Sequence, residues 1–125
     1  MRFVVAIALG TCLLTSTALA ADPPTADPFQ AADPDFAAAF VPLYLKVWRP
    51  GKIPGEYKQL TGISLSLVKL CDDCLDSHIR QSVALGATKG EILEAMRIGM
   101  LTGGSVALPT ALKGYALLGT LNVPD

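Results

Sequence analysis

Apolar side chains recur every three or four residues along most of this 125-residue chain, which is the spacing of one face of an α-helix. One short run, at residues 63–67, alternates isoleucine or leucine with serine and would also suit a β-strand. No second run of that kind exists to pair with it, and an unpaired strand leaves its backbone donors and acceptors without partners. The sequence therefore predicts an all-α fold, a bundle of about five helices joined by short connections.

Local start and stop signals set the predicted helix boundaries. Asp33 is a candidate N-cap with Pro34 in the first turn, and Thr88 and Glu91 have the spacing of a capping box. The predicted helices, in chain order, are 34–48 with Pro42 as a site for a kink, 54–70, 71–85 ended by Gly86, 89–102 ended by Gly103 and Gly104, and 105–118 capped by Ser105 with Pro109 in its first turn.

The first twenty residues have the parts of a secretory signal peptide: Arg2, an apolar run over residues 3–14, and small residues up to Ala20. The apolar run is shorter than the roughly 20 residues that a membrane-spanning helix needs. Lipid attachment at Cys12 is disfavoured by the threonine before it. We therefore expect cleavage near Ala20, secretion across the inner membrane, a periplasmic location and no stable membrane span.

The remainder divides into a flexible, extended lead-in over residues 21–33, rich in proline and aspartate, and one folded domain over residues 34–121. Cleavage would remove Cys12 and leave two of the three cysteines in a chain of about 105 residues, which is long enough for a core without disulfides. Ten basic against eleven acidic residues leave no positive excess for nucleic acid or an anionic membrane. The single histidine excludes any site that needs two imidazoles from one chain.

Cys71, Cys74 and His78 lie on one face of the predicted third helix. At about 100° per residue, Cys71 is about 60° and His78 about 40° around the helix from Cys74. A histidine four residues after a cysteine is within reach of a thiol–imidazole hydrogen bond, and the start of a helix favours the thiolate form of Cys71. This is the pattern of an activated dithiol, in which one sulfur attacks and the other resolves the product as a disulfide.

Other interpretations of these three residues stay open. A structural disulfide would close a loop too short to constrain the unfolded chain strongly, and a zinc site would lack a clear fourth ligand. A buried, unreactive trio is disfavoured because the aspartates at 72, 73 and 76 keep this turn polar. Asp72 and Asp73 would also raise the thiol pKa values unless they point outward. Covalent haem attachment is excluded, because Leu75 stands where a histidine would have to follow the second cysteine.

From about Tyr57 to Leu118 the chain resembles the carboxymuconolactone decarboxylase / alkylhydroperoxidase D family. The resemblance implies an all-α fold that assembles as trimers or hexamers, with a Cys/Cys/His relay that reduces hydroperoxides. It rests on the order and spacing of five motifs: Tyr57-Lys58-Gln59-Leu60, Cys71-x-x-Cys74-x-x-x-His78, Gly86-Ala87-Thr88, Glu91-Ile92-x-Glu94-Ala95 and Leu101-Thr102-Gly103-Gly104.

Carried onto this chain, the resemblance makes Cys74 the peroxide-attacking thiol, Cys71 the resolving thiol and His78 the base that activates Cys74. The family's relay has a glutamate where Gln59 stands here. Glutamine can hydrogen-bond but cannot take up a proton at neutral pH, so this departure weakens or reroutes the relay. Glu56, one helical turn earlier, is a candidate substitute.

The expected function is an exported, thiol-dependent hydroperoxide reductase that acts on a hydroperoxide, draws on an unidentified thiol reductant and uses no cofactor or metal. Gln59 supports an alternative, a periplasmic dithiol or ligand-binding module that has lost peroxidase competence. The family's lactone decarboxylase activity is less expected, because it acts on an intracellular intermediate and is not known for this cysteine pair.

Two further patterns carry structural expectations. Gly99 and Gly103 predict close helix packing or a subunit contact. Trp48, Tyr44 and Tyr115 have the spacing of core residues, with the lining of a pocket over the thiols as the alternative. Charged residues make up only 17% of the chain, which fits the burial of helix faces between subunits.

Overall fold

Helices make up the regular structure of residues 27–125, the part of the chain that the computed structural model describes. The all-α fold expected from the apolar spacing is thus confirmed, and the predicted signal peptide and Cys12 lie outside the described residues. The elements are α1 (Pro28–Ala32), α2 (Pro34–Trp48), α3 (Gly55–Lys69), α4 (Asp72–Ala84), α5 (Lys89–Gly103), a 3₁₀ turn (Ser105–Ala107) and α6 (Leu108–Leu118).

The predicted caps account for the starts of α2 and α5. The Asp33 carboxylate accepts a hydrogen bond from the Phe36 N–H at the start of α2, and Thr88 and Glu91 form the reciprocal capping box of α5. The prediction for Ser105 is wrong, because Ser105 begins the 3₁₀ turn and makes no side-chain cap. The α6 helix begins three residues later, with Pro109 in its first turn as expected.

A short helix lies within the segment expected to be an extended lead-in. The Asp27 carboxylate accepts a hydrogen bond from the Phe29 N–H, and Pro28 occupies the first turn of α1. The same local chemistry that starts α2 therefore also starts α1: an aspartate followed directly by proline supplies both a cap and a preset backbone angle. None of the described helices is both long and apolar enough to cross a membrane.

The core forms where α3 packs against α4 and α5, with α6 closing one side. The strand-like run at residues 63–67 lies inside α3, where Ile63 and Leu67 are fully buried and Leu65 is exposed. A helix places residues four apart on the same face, which decides between the two periods. The largest fully buried apolar side chains are Ile63, Leu67, Leu75, Ile79, Ile92 and Met96.

The two glycines that the spacing singled out allow close approach of α5, at Gly99 to α3 and at Gly103 to the 3₁₀ turn. A Cβ added at Gly99 would lie 2.7 Å from the Ser64 carbonyl oxygen, and one at Gly103 would lie 3.1 Å from the Ala107 Cβ. The expectation of close helix packing at these positions is confirmed.

The α2 helix packs on α1 near its N-terminal end and meets α3 at its C-terminal end. The Lys58 ammonium donates to the carbonyl oxygens of Val47 and Arg49, both at 2.7 Å, which ties the end of α2 to α3. Ala37 is the buried residue of α2, whereas its apolar stripe is exposed. Helical spacing thus predicted the helix correctly, but the stripe stays largely exposed in the described part of the chain, with Phe29 of α1 packed on one end of it. Its members are Phe36, Phe40, Leu43 and Val47.

Candidate active site

A sharp corner between α3 and α4 places the two cysteines. Leu70 ends α3 in the left-handed region at φ 57°, and the Cys71 N–H donates to the Ser66 carbonyl oxygen at 3.0 Å. Cys71 then becomes the N-cap of α4, as its position at the helix start predicted. After this corner, α4 packs against α3.

Cys71 and Cys74 are joined by a disulfide, with their Cα atoms 5.3 Å apart. The Cys74 N–H also donates to the Cys71 sulfur at 3.3 Å, so the first turn of α4 presents a backbone donor to that sulfur. Cys74 is exposed, whereas Cys71 is half-buried. Solvent therefore reaches Cys74 more readily than Cys71.

His78 lies one turn after Cys74 and is buried, with only 7% of its surface exposed. Its Nδ1 lies 2.6 Å from Oε1 of Gln59, which is itself buried on α3. Because an amide oxygen can only accept, Nδ1 carries the proton and Nε2 keeps its lone pair. Burial lowers the pKa of His78 below its usual value, which favours the same neutral form.

The imidazole of His78 contacts two further residues: Trp48, which the sequence suggested only for the core or a pocket over the thiols, and Gly62, which it did not suggest. The Trp48 ring packs on one side, with ring centroids 4.5 Å apart. Gly62 of α3 lies on the ring as well: a Cβ added there would be 2.6 Å from Cγ and Nδ1 of His78. The position of Gly62 one helical turn after Gln59 is the signal that could have identified it, since both residues then share one face of α3.

Two of the three aspartates near the cysteines form ion pairs with basic side chains. Asp72 forms an ion pair with Lys113 of α6, and Asp76 forms one with Arg80 at 2.8 Å. A hydrogen bond from Lys113 lowers the pKa of Asp72, and one from Arg80 lowers the pKa of Asp76, so both carboxylates stay ionised. Lys113 therefore neutralises part of the negative charge expected to oppose thiolate formation.

Two of the three aromatic residues suggested for the core or for a pocket over the thiols are exposed. Tyr44 is 43% exposed and packs on Trp48, and Tyr115 donates from its hydroxyl to the Met100 sulfur at 3.5 Å. Of the three, Trp48 is the residue that reaches the site. In the described residues no three His, Cys, Asp or Glu side chains converge as a metal site.

The structure thus brings together His78 and Gln59, and Cys71 and Cys74, within two adjoining helices. In the disulfide form the hydrogen bond of the His78 ring is to Gln59 and not to Cys74. Glu56, the suggested substitute for Gln59, lies half-buried in the first turn of α3, and the residue on α3 that bonds to His78 is Gln59. The resulting arrangement is a buried imidazole one turn after an exposed cysteine that takes part in a disulfide.

The chain is similar to known proteins in both sequence and fold. The profile of the carboxymuconolactone decarboxylase family matches residues 34–115. An uncharacterized protein of Cupriavidus necator is 30% identical over 91 residues, which are 73% of this chain and 80% of that protein. Uncharacterized protein 4 in the cox locus of Paracoccus denitrificans is 29% identical over 80 residues, which are 64% of this chain and 72% of that protein.

A solved structure extends the similarity to the fold. The crystal structure of a carboxymuconolactone decarboxylase family protein from Thermotoga maritima superposes with a TM-score of 0.66 at 35% sequence identity. The match covers 68% of this chain and 73% of that one. An involvement in an antioxidative response has been suggested for the Thermotoga protein.

Proposed function

Because this chain belongs to the carboxymuconolactone decarboxylase family, we propose that it is a thiol-dependent hydroperoxide reductase that cycles between the Cys71–Cys74 dithiol and disulfide. The observation that carries the proposal is the disulfide itself, formed at the start of α4 between an exposed and a half-buried cysteine. The antioxidative role suggested for the Thermotoga protein supports the same direction.

The reaction proceeds in two covalent steps. Nε2 of neutral His78 takes the proton of the Cys74 thiol, and the thiolate attacks the terminal peroxide oxygen. The O–O bond breaks, Cys74 becomes a sulfenic acid, and the alkoxide takes a proton and leaves as the alcohol. The Cys71 sulfur then attacks the Cys74 sulfur and water leaves, so one dithiol and one hydroperoxide give one disulfide, one alcohol and one water.

An external dithiol closes the cycle by thiol–disulfide exchange, returning two electrons and two protons to the cysteines. The exposure of Cys74 supports attack by that reductant on the Cys74 sulfur, with Cys71 leaving first. Export to the periplasm and assembly into trimers or hexamers belong to the same proposal. Exposed apolar side chains on both α2 and α5 support assembly.

One observation favours a second candidate function. Gln59 holds His78 but cannot pass a proton on, which fits a dithiol module that exchanges disulfides without consuming peroxide. The family's decarboxylase activity finds no such support in the site.

The test is hydroperoxide consumption by the reduced protein with excess dithiothreitol, compared with the Cys74→Ser and Cys71→Ser variants. We expect turnover well above the dithiol background in the wild type and loss of turnover in both variants. The Cys71→Ser variant should accumulate a sulfenic acid at Cys74 that dimedone traps, and Cys74→Ser should not. Cys12→Ser, made in the uncleaved 125-residue chain that still carries this cysteine, is the matched control and should behave as the uncleaved wild type. A wild-type rate equal to background would leave the dithiol module as the function.

A further inference from the structure

A cleft of about 380 Å³ opens beside His78, between the end of α2, the start of α3 and the end of α4. Its volume lies within the range of roughly 300–1,000 Å³ that small-molecule sites occupy. Two of its lining residues, Trp48 and Gln59, are the same residues that contact the His78 ring. Its lining includes Leu45, Trp48, Arg49, Gln59, Gln81 and Leu85.

Arg49 is the one charged residue among the described residues that line this cleft. Its backbone is fixed, because its N–H donates to the Leu45 carbonyl oxygen at 3.1 Å and its carbonyl oxygen accepts from Lys58 at 2.7 Å. Neither of the side-chain ion pairs in residues 27–125 involves Arg49. The cleft therefore combines apolar walls with a guanidinium that has no carboxylate partner in the described chain.

The cleft continues the face of α4 that carries the cysteine. Gln81 lies about 20° around the helix from Cys74 and about 10 Å along its axis, with His78 between them. A ligand seated in the cleft beside Gln81 therefore has about 10 Å of this face to span before it reaches the exposed Cys74.

We propose that the cleft binds amphiphilic carboxylates, with the carboxylate on Arg49 and the alkyl chain against Leu45, Trp48 and Leu85. The substrates of the enzyme are then hydroperoxides of such acids, with the peroxide group several bonds from the carboxylate. This second statement rests on the proposed peroxidase function. The binding statement does not.

Binding is measured by the fluorescence of Trp48, the single tryptophan of the chain, in the disulfide form of the protein. Octanoate, octan-1-ol and octylammonium are titrated separately, and we expect octanoate to change the fluorescence at the lowest concentration. Arg49→Gln should weaken octanoate binding about three- to tenfold and leave octan-1-ol unchanged, as the loss of a charge-assisted hydrogen bond predicts. Lys52→Gln, a neutralised lysine in the same loop, should bind octanoate as the wild type does.

Equal affinities for octanoate and octan-1-ol, or an unchanged Arg49→Gln variant, would overturn the carboxylate site. The substrate statement is tested by KM: Arg49→Gln should raise KM for linoleic acid hydroperoxide and not for cumene hydroperoxide. A protein that binds octanoate but consumes no peroxide keeps the site and loses the proposed function. An active peroxidase that shows no preference for octanoate loses the site and keeps the function.

Discussion

At the scale of single residues, the site is organised around one neutral imidazole. Gln59 fixes the proton of His78 on Nδ1, Trp48 and Gly62 hold the ring, and burial keeps it uncharged. The base is thereby prepared to accept a proton at Nε2, while nothing at position 59 can accept the proton of Nδ1.

Gln59→Glu should raise peroxidase turnover at least about tenfold, because a carboxylate at this position can share a proton with His78 and complete the relay. It should also raise the pKa of His78, since a negative charge within hydrogen-bond distance favours imidazolium. Gln59→Met, of similar size without a polar group, is the control and should lower turnover. Steady-state rates across pH values check both, and an unchanged rate in Gln59→Glu would remove the relay from the mechanism.

The pH dependence of stability should carry the signature of His78. Its folded pKa is lowered from 6.5, so between that folded pKa and about pH 6.5 the unfolded chain binds more protons than the folded one. Stability should therefore fall as the pH drops through 6.5, and the loss should stop once the folded protein also takes up the proton. Urea unfolding at a series of pH values measures this slope, and His78→Gln should lack it.

A direct reading of the same pKa is available because the chain has one histidine. Its imidazole proton resonance should titrate below pH 6.5 in the folded protein. Titration at or above 6.5 would contradict both the buried neutral form and the stability argument.

At the scale of elements, the contact of α3 with α4 depends on a missing side chain. A Cβ at Gly62 would lie within 2.7 Å of three atoms of the His78 ring, so helix and ring cannot both keep their positions. The tight approach is what allows Gln59, one turn earlier on α3, to reach Nδ1. Helix packing and the site are therefore the same contact.

Gly62→Ala should destabilise the protein by about 1–3 kcal/mol, because overpacking at this contact outweighs the helix propensity gained by alanine. Gly90→Ala is the matched substitution in a helix without a close neighbour, since its nearest atom would be 3.9 Å away. It should be neutral or stabilise by up to about 1 kcal/mol. Denaturation midpoints compare the two, and equal effects would show that the imidazole yields without cost.

At the scale of the whole molecule, the described chain leaves large apolar side chains uncovered on several helices. Leu101 of α5 is 85% exposed and Leu43 of α2 is 61% exposed. Scattered exposed leucines are ordinary in monomers, but here they accompany a largely exposed apolar stripe on α2. Burial between identical subunits would account for them.

Leu101→Asp should therefore dissociate the proposed trimer or hexamer, because a charge in an apolar interface is costly to desolvate. Helical circular dichroism should persist, since this side chain contributes little to the core of its own chain. Light scattering gives the mass, and Thr120→Asp, an exposed polar position after α6, controls for the added charge. A wild type that is monomeric at micromolar concentration would contradict the expectation.

Local chemistry determined what the sequence alone could predict. Caps such as Asp33 and Thr88 act within three residues, so they could be predicted without knowledge of the fold. The helical spacing of Cys71, Cys74 and His78 is a local pattern of the same kind. The exception at Ser105 is also local, because a 3₁₀ turn, which is frequent at helix ends, precedes α6 and moves the start of the helix to Leu108.

Only the tertiary structure decided how those helices meet. The bond from His78 to Gln59 spans 19 positions and the Asp72–Lys113 pair spans 41, so each depends on how two helices pack and not on any local pattern. Trp48 and Gly62 join the site for the same reason. The sequence predicted the apolar stripe of α2 from its helical period, but it did not predict that the stripe is exposed. Burial depends on neighbouring elements, which a helical period does not specify.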